Sequence, residues 1–218
     1  MAKKQFSSIL IIILLSLIFG LYFFELFSVL KTKIQNKKNY SEYYKKSGNN
    51  YDERYFTEVF DELNKNNNRL GTAAVTPSSY INEKKLTIFP LSGISNALTL
   101  NCNENGYYSK FISDNFGFNN VNKDWNGKEK DFVLIGDSFV LGNCVNKPED
   151  ITSILKDKNF SAINLGYAGN GPLLKYATLK EYFPKNTKNV LWFFYEGNDL
   201  QDLNNEKKKQ NLEQIFKR

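Results

Sequence analysis

The chain has 218 residues, with 29 basic and 23 acidic side chains, a net charge of +6, and 41% hydrophobic residues. These proportions exclude wholesale disorder and a collagen-like chain, and two cysteines are too few for a disulfide-rich scaffold or a four-thiolate zinc site. There is no histidine, so no imidazole can serve as general base, metal ligand or pH switch, and neither a metal nor a cofactor is expected.

The basic residues are scattered among many Asn, Ile, Phe and Tyr residues. Their densest runs are Lys31, Lys33, Lys37 and Lys38, and Lys207, Lys208 and Lys209. Such runs read as solvated or membrane-surface charge, and no nucleic-acid partner is expected.

Residues 6–24 carry no charge and are mostly Ile, Leu and Phe. As a helix they would span about 28 Å, close to the hydrocarbon core of a bilayer. Lys3 and Lys4 precede the run, Glu25 interrupts it, and residues 26–30 resume it. A cleavable signal peptide competes with this reading, but no small-x-small site follows. Residues 1–30 are therefore read as an uncleaved, single-pass transmembrane anchor. The lysine excess on the following side favours a cytoplasmic location for what comes next.

Residues 31–69 are expected to form a juxtamembrane linker and a short helix. The polar stretch 31–50 carries Tyr40, Tyr43 and Tyr44 near the membrane interface and is broken by Ser47, Gly48, Asn49 and Asn50. Tyr55, Phe56, Val59, Phe60 and Leu63 make one apolar stripe, which predicts a helix over 52–64 that packs on the main domain. Residues 70–130 form an extension with short strands at 86–89 and 97–100, between Gly, Pro and Asn turns.

The pattern changes at Asp131. Residues 132–135 form an apolar strand ending in Gly136, Asp137 and Ser138. Pro148 opens a helix that carries Ile151, Ile154 and Leu155 on one face. Residues 161–165 form a second strand, followed by Gly166, Gly169, Gly171 and Pro172. A helix over 173–183 stops at Pro184, and 190–195 is a third strand, apolar enough to be buried on both faces. Alternating strands and helices predict an α/β fold with parallel strands and right-handed crossovers, the start of a flavodoxin-like, doubly wound sheet.

In such a sheet ligands bind beyond the carboxyl ends of the strands. The three ends offer the hydroxyl of Ser138, a glycine loop and the carboxamide of Asn198. A hydroxyl that attacks a carbonyl and amides that stabilise the oxyanion form a kit for acyl chemistry. Each feature also has a plain reading: Ser138 as a helix N-cap, the glycines as tight turns, Asn198 and Asp199 as a cap. Asp137 is expected to hold its turn, since neighbours after a strand point apart.

The blocks GDSF at 136–139, NLGYAGNGP at 164–172 and EGND at 196–199 resemble the first three blocks of the SGNH (GDSL-type) hydrolase superfamily. The resemblance covers about residues 131–203 and implies Ser138 as nucleophile, with Gly169 and Asn198 as oxyanion-hole donors beside the Ser138 amide. Gly169 matches rather than Gly166 because it lies five residues after Asn164. The N-terminal anchor, NENGYY and SDNFGFNN also resemble membrane-associated bacterial members, several of which act on acyl groups of cell-surface polysaccharides. The implied function is a serine esterase, O-acyl hydrolase or acyltransferase acting on a small-molecule ester or an acylated glycan.

The family's D-x-x-H block has no counterpart here. Residues 131–218 are accordingly expected to be a partial, three-strand SGNH hydrolase-like domain, truncated at its carboxyl end, with little or no turnover as written. The third strand is expected to be left as an apolar edge. The alternative is a non-catalytic, membrane-tethered module that binds acyl or glycan ligands. A nucleotide-binding domain is disfavoured, because no glycine fingerprint follows the first strand and the second loop lacks a phosphate-binding lysine. Cys102 and Cys144 are either a disulfide closing a loop of about 40 residues, contributing roughly 3–4 kcal/mol, or two buried thiols. The family resemblance favours an extracytoplasmic domain, against the lysine count.

Overall fold

The computed structural model describes residues 2–48, 50–66, 71–81, 83, 89–127 and 129–207. The chain forms two compact units, Met1–Glu53 and Arg54–Arg218.

The first unit is dominated by one helix, α1 (Ala2–Lys46). At 1.5 Å per residue, 45 residues extend about 67 Å. Within it Ile11–Thr32 is long and apolar enough to cross a membrane, a test that a signal sequence also passes. Its side chains stand outward, Phe19 being 73% exposed and Phe24 70%. The polar stretch read as a linker is helical as far as Lys46. Lys, Gln and Glu are good helix formers, and no Gly or Pro intervenes before Gly48, whose φ of +74° ends the helix. Glu53 returns to the helix, accepting hydrogen bonds from Ser41 Oγ at 2.5 Å and Lys45 Nζ at 2.6 Å.

The second unit begins with α2 (Phe56–Asn66). The predicted stripe is used: Val59 is buried, and Phe56 packs on Phe60 and on Tyr108, with ring centroids 6.4 and 6.1 Å apart. A small mixed sheet follows, made of β1 (Gly71–Ala73), β2 (Leu98–Leu100) and β3 (Lys110–Ile112). Here β1 runs parallel to β2, and β2 antiparallel to β3. The strand expected at 97–100 is β2, whereas β1 and β3 were not anticipated. Most of the strand expected at 86–89 lies outside the described residues.

Beyond it come β4 (Lys130–Ile135), α3 (Ser138–Leu141), α4 (Ile151–Asp157), β5 (Ala162–Asn164), α5 (Pro172–Tyr182), β6 (Thr187–Trp192) and α6 (Asp199–Lys207). The sheet order is β5-β4-β6, with β4 parallel to both neighbours. Successive residues of β4 face opposite sides of the sheet. Val133 and Ile135 join Phe111, Phe118, Ile163 and Leu165, with Leu179 and Tyr182 of α5 packed against them. Leu134 joins Val140 and Ala162, against Ile151 and Leu155 of α4. Helices therefore cover both faces of a parallel sheet, the arrangement that strand–helix alternation implies.

The third strand differs from its sequence reading. It starts at Thr187, because Lys130 to Ile135 of β4 pair with Thr187 to Trp192. It is not buried on both faces: Leu191 and Phe193 pack beside Leu134, while Val190, Trp192 and Phe194 are 41%, 40% and 50% exposed. An edge strand is paired on one side only. Cys102, after β2, is bonded to Cys144, after α3, with Cα atoms 4.8 Å apart.

Candidate active site

All three strands of the parallel sheet point the same way, so the turns after β4, β5 and β6 leave from one edge. Gly136 and Asp137 follow β4. Asp137, 2% exposed, is the N-cap of α3, its Oδ1 accepting from Phe139 N at 3.1 Å. Ser138 is thus the first residue of the helix, and the reading of Ser138 itself as N-cap is replaced. Its side chain is half-buried, and among the described residues nothing hydrogen-bonds its hydroxyl. The helix ends after one turn at Gly142, whose φ of +77° is left-handed.

The β4 turn has no room for larger residues. A Cβ on Gly136 would lie 2.4 Å from Val140 Cγ2, and one on Gly166 would lie 2.5 Å from Val140 Cβ and 2.7 Å from the Leu141 nitrogen. The two glycines let α3 sit directly over the ends of β4 and β5. Gly166 is accordingly a packing residue. Gly169, half-buried at φ +74°, lies against the 3-10 turn Pro77–Tyr80: a Cβ there would be 2.8 Å from Ser78 Oγ.

Asn198, half-buried, precedes α6, and its backbone carbonyl accepts from Asp202 N at 2.9 Å. Contacts tie the three turns in pairs. Tyr167 N donates to Gly136 O at 3.3 Å, linking the β5 and β4 turns. The ring of Phe139 packs on Tyr195 at 5.1 Å, linking α3 with the β6 turn. Asp137 also acts on the β6 side: the carboxyl of Asp202 is pushed up by burial, by Asp199 and by the negative charge of Asp137.

Three supports of this edge were not found from sequence. The first is a buried ion pair. Lys175 of α5 and Asp199 are both fully buried, with Lys175 Nζ 2.6 Å from each carboxylate oxygen and 3.3 Å from Phe193 O. Asp199 Oδ2 also accepts from Tyr195 N at 3.0 Å, so α5 clamps the loop that carries Asn198. A lysine among Leu174, Ala177 and Thr178 on a helix was the available signal.

The second is Glu206, 1% exposed, which accepts from Leu173 N at 2.9 Å and Leu174 N at 3.4 Å, capping α5. Burial pushes its carboxyl up, against these amide hydrogen bonds. The third is an asparagine relay. Asn120 Nδ2 donates to Asp114 Oδ2 and to Asn164 O, and Asn120 Oδ1 accepts from Asn164 N at 2.8 Å. Asn164 in turn accepts from Gly166 N through Oδ1 at 2.8 Å and donates to Val140 O. Polar atoms also remain without partners among the described residues: Asp137 Oδ2, Asn198 Oδ1 and both ends of the fully buried Asn170.

No family model and no curated relative matches the chain. The solved structures that it resembles are SGNH-hydrolase family esterases. One is the esterase AlinE4, at 16% identity and a TM-score of 0.27, with 41% of this chain and 57% of that chain covered. A single-residue variant of the same esterase gives 16% identity, a TM-score of 0.27, and 37% and 52% coverage. The chain spans about half the length of the structures it matches.

Proposed function

We propose that this chain is a membrane-tethered, SGNH-hydrolase-like protein of acyl chemistry, built on a flavodoxin-like β5-β4-β6 order. Ser138 is its nucleophile, and the Ser138 and Gly169 amides with the Asn198 carboxamide form its oxyanion hole. The observation that carries this reading is the departure of all three motif-bearing turns from one edge of a parallel sheet.

Ser138 Oγ attacks the carbonyl carbon of an ester as its hydroxyl proton passes to solvent water. The carbonyl–alkoxide bond breaks, the alkoxide takes a proton from that water, and water or a second hydroxyl then takes the acyl group from the serine and returns a proton to Ser138 Oγ. No imidazole among the 218 residues can accept the first proton. Turnover by this chain is therefore expected near the residual rate left by an oxyanion hole and binding, roughly 10³–10⁴ over water. The family resemblance points to a small-molecule ester or an acylated cell-surface glycan as substrate. The Cys102–Cys144 disulfide suits an oxidising, extracytoplasmic compartment, with Ile11–Thr32 as the membrane segment.

The test is fluorophosphonate labelling of the full chain, with the adduct located by peptide mass spectrometry. Slow labelling at Ser138, accelerated by added imidazole and lost in Ser138→Ala, supports the reading. Labelling spread over other hydroxyls, with Ser138 no more reactive than they are, refutes it. The half-buried Ser138, whose hydroxyl no described residue hydrogen-bonds, also suits one rival, a binding module that holds acyl or glycan ligands at this edge without turnover. In that case imidazole leaves Ser138 unreactive while a bound ester still protects the edge from hydrogen exchange.

A further inference from the structure

The end of the parallel sheet away from Ser138 carries a cavity. It has a volume of about 510 Å³ and is lined by Phe116, Trp125, Lys130, Glu181, Tyr182 and Asn186, among others. That volume lies within the roughly 300–1,000 Å³ of small-molecule sites. Lys130 is the first residue of β4, and Ser138 lies beyond its last, so about 17 Å of strand separates the cavity from the candidate active site.

Four aromatic residues line it: Phe116, Trp125, Tyr182 and Phe183. Phe116 meets Trp125 at 4.6 Å and 65°, and Tyr182 at 5.6 Å and 63°. These three rings are held in place. Trp125 Nε1 donates to Asp114 Oδ2 at 2.8 Å, Phe116 N donates to Asp114 Oδ1 at 2.8 Å, and Ser92 Oγ donates to Phe116 O at 2.5 Å. Tyr182 packs on Phe118 at 5.0 Å. Phe116 is nonetheless 44% exposed. A ring fixed in this way and left partly facing solvent stacks on a ligand with little side-chain entropy to lose.

The polar lining narrows the ligand. It combines two ammonium groups, Lys130 and Lys185, with the carboxylate of Glu181 and the carboxamide of Asn186. Lys130 Nζ is already engaged with Asn126 O at 2.5 Å. An organic cation would suit the ring faces but would meet the lysines, and a dense anion would meet Glu181 and the aromatic faces. A polyhydroxylated ring fits both features. Its C–H face, weakly positive, lies on aromatic faces that are weakly negative, and its hydroxyls both donate and accept.

We propose that this cleft is a saccharide-binding site, separate from the acyl site and independent of the acyl-chemistry reading. The test uses the full chain in phosphatidylglycerol nanodiscs, which avoids sugar-headed detergents, on an array of mono- and oligosaccharides. Binding to a subset of the array is expected. It should weaken about tenfold in Phe116→Ala, which removes one stacking wall and leaves the backbone bonds to Asp114 and Ser92 intact. A several-fold loss is expected in Glu181→Ala, an exposed position on α5 that cannot unfold the sheet, and Ser138 labelling should be unchanged in both. No binding anywhere on the array, binding untouched by both substitutions, or displacement of bound sugar by tetramethylammonium would overturn the proposal.

Discussion

Replacing Lys175 by methionine removes one half of an ion pair whose members are both fully buried, with the ammonium 2.6 Å from each oxygen of Asp199. Methionine fills much the same volume, so the main effect is electrostatic: the Asp199 carboxylate loses its only counter-charge among the described residues and stays out of water. Breaking a buried pair in this way costs about 3–5 kcal/mol. For a unit of this size, 1 kcal/mol moves the melting temperature by about 2–4 °C, which places the expected drop at about 6–20 °C. The double variant Lys175→Met/Asp199→Asn should recover most of the loss, because asparagine can still accept from Tyr195 N without a buried charge. The assay is thermal unfolding followed by near-UV circular dichroism, which reports the tertiary packing of the second unit rather than the helicity of α1. A melting temperature within about 2 °C of wild type for Lys175→Met, or a double variant no better than the single, would refute this account of the clamp.

Asn120→Ala should destabilise by about 2–4 kcal/mol, since it strands the Asn164 amide and carbonyl in the interior, and urea midpoints measure it. Reducing the Cys102–Cys144 bond, with its sequence separation of 42, should cost about 4 kcal/mol on the chain-entropy view; unfolding with and without reductant, set against Cys102→Ser/Cys144→Ser, reads the difference. Glu206 has its carboxyl raised by burial, so the folded chain holds this proton more tightly than the unfolded chain does. Stability from this group is therefore lost as pH rises from the ordinary glutamate value through the raised one. Glu206→Gln should flatten that decline in a pH series of melting curves, and an unchanged slope would contradict it.

Much of the sheet was legible because its signals are local. The apolar run before Gly136, the glycine loop after Asn164 and the helix stopped by Pro184 all fall where the sequence puts them. The start of β6 was not legible. Thr187, Lys188 and Asn189 look like a loop, and they become strand only through pairing with β4 and the contacts of Lys188 with Asp131 at 2.9 Å and Glu129 at 3.1 Å. That hydrogen bond from Lys188, with those from Ser161, holds the Asp131 carboxyl at about 2. The helix α6 was missed for a related reason. Its sequence, DLQDLNNEK, has no apolar stripe, and the residues it buries are Asp199 and Glu206, whose partners lie on α5. Ser138 and Asn198 were readable as motif residues, while the groups that hold their turns were not, because a lysine or glutamate does not announce a partner 24 or 33 residues away.

The asparagine relay bears on how this protein can be dissected. Asn120 belongs to the stretch leading out of the small mixed sheet, yet it completes the hydrogen bonding of Asn164 at the end of β5. A shortened chain beginning at β4 would retain Ser138, Gly169 and Asn198 but leave that strand end with orphaned polar groups in its interior. The two sheets are thus expected to melt as a single cooperative block, and transplanting the three motifs without residues 113–120 would carry the chemistry without its scaffold.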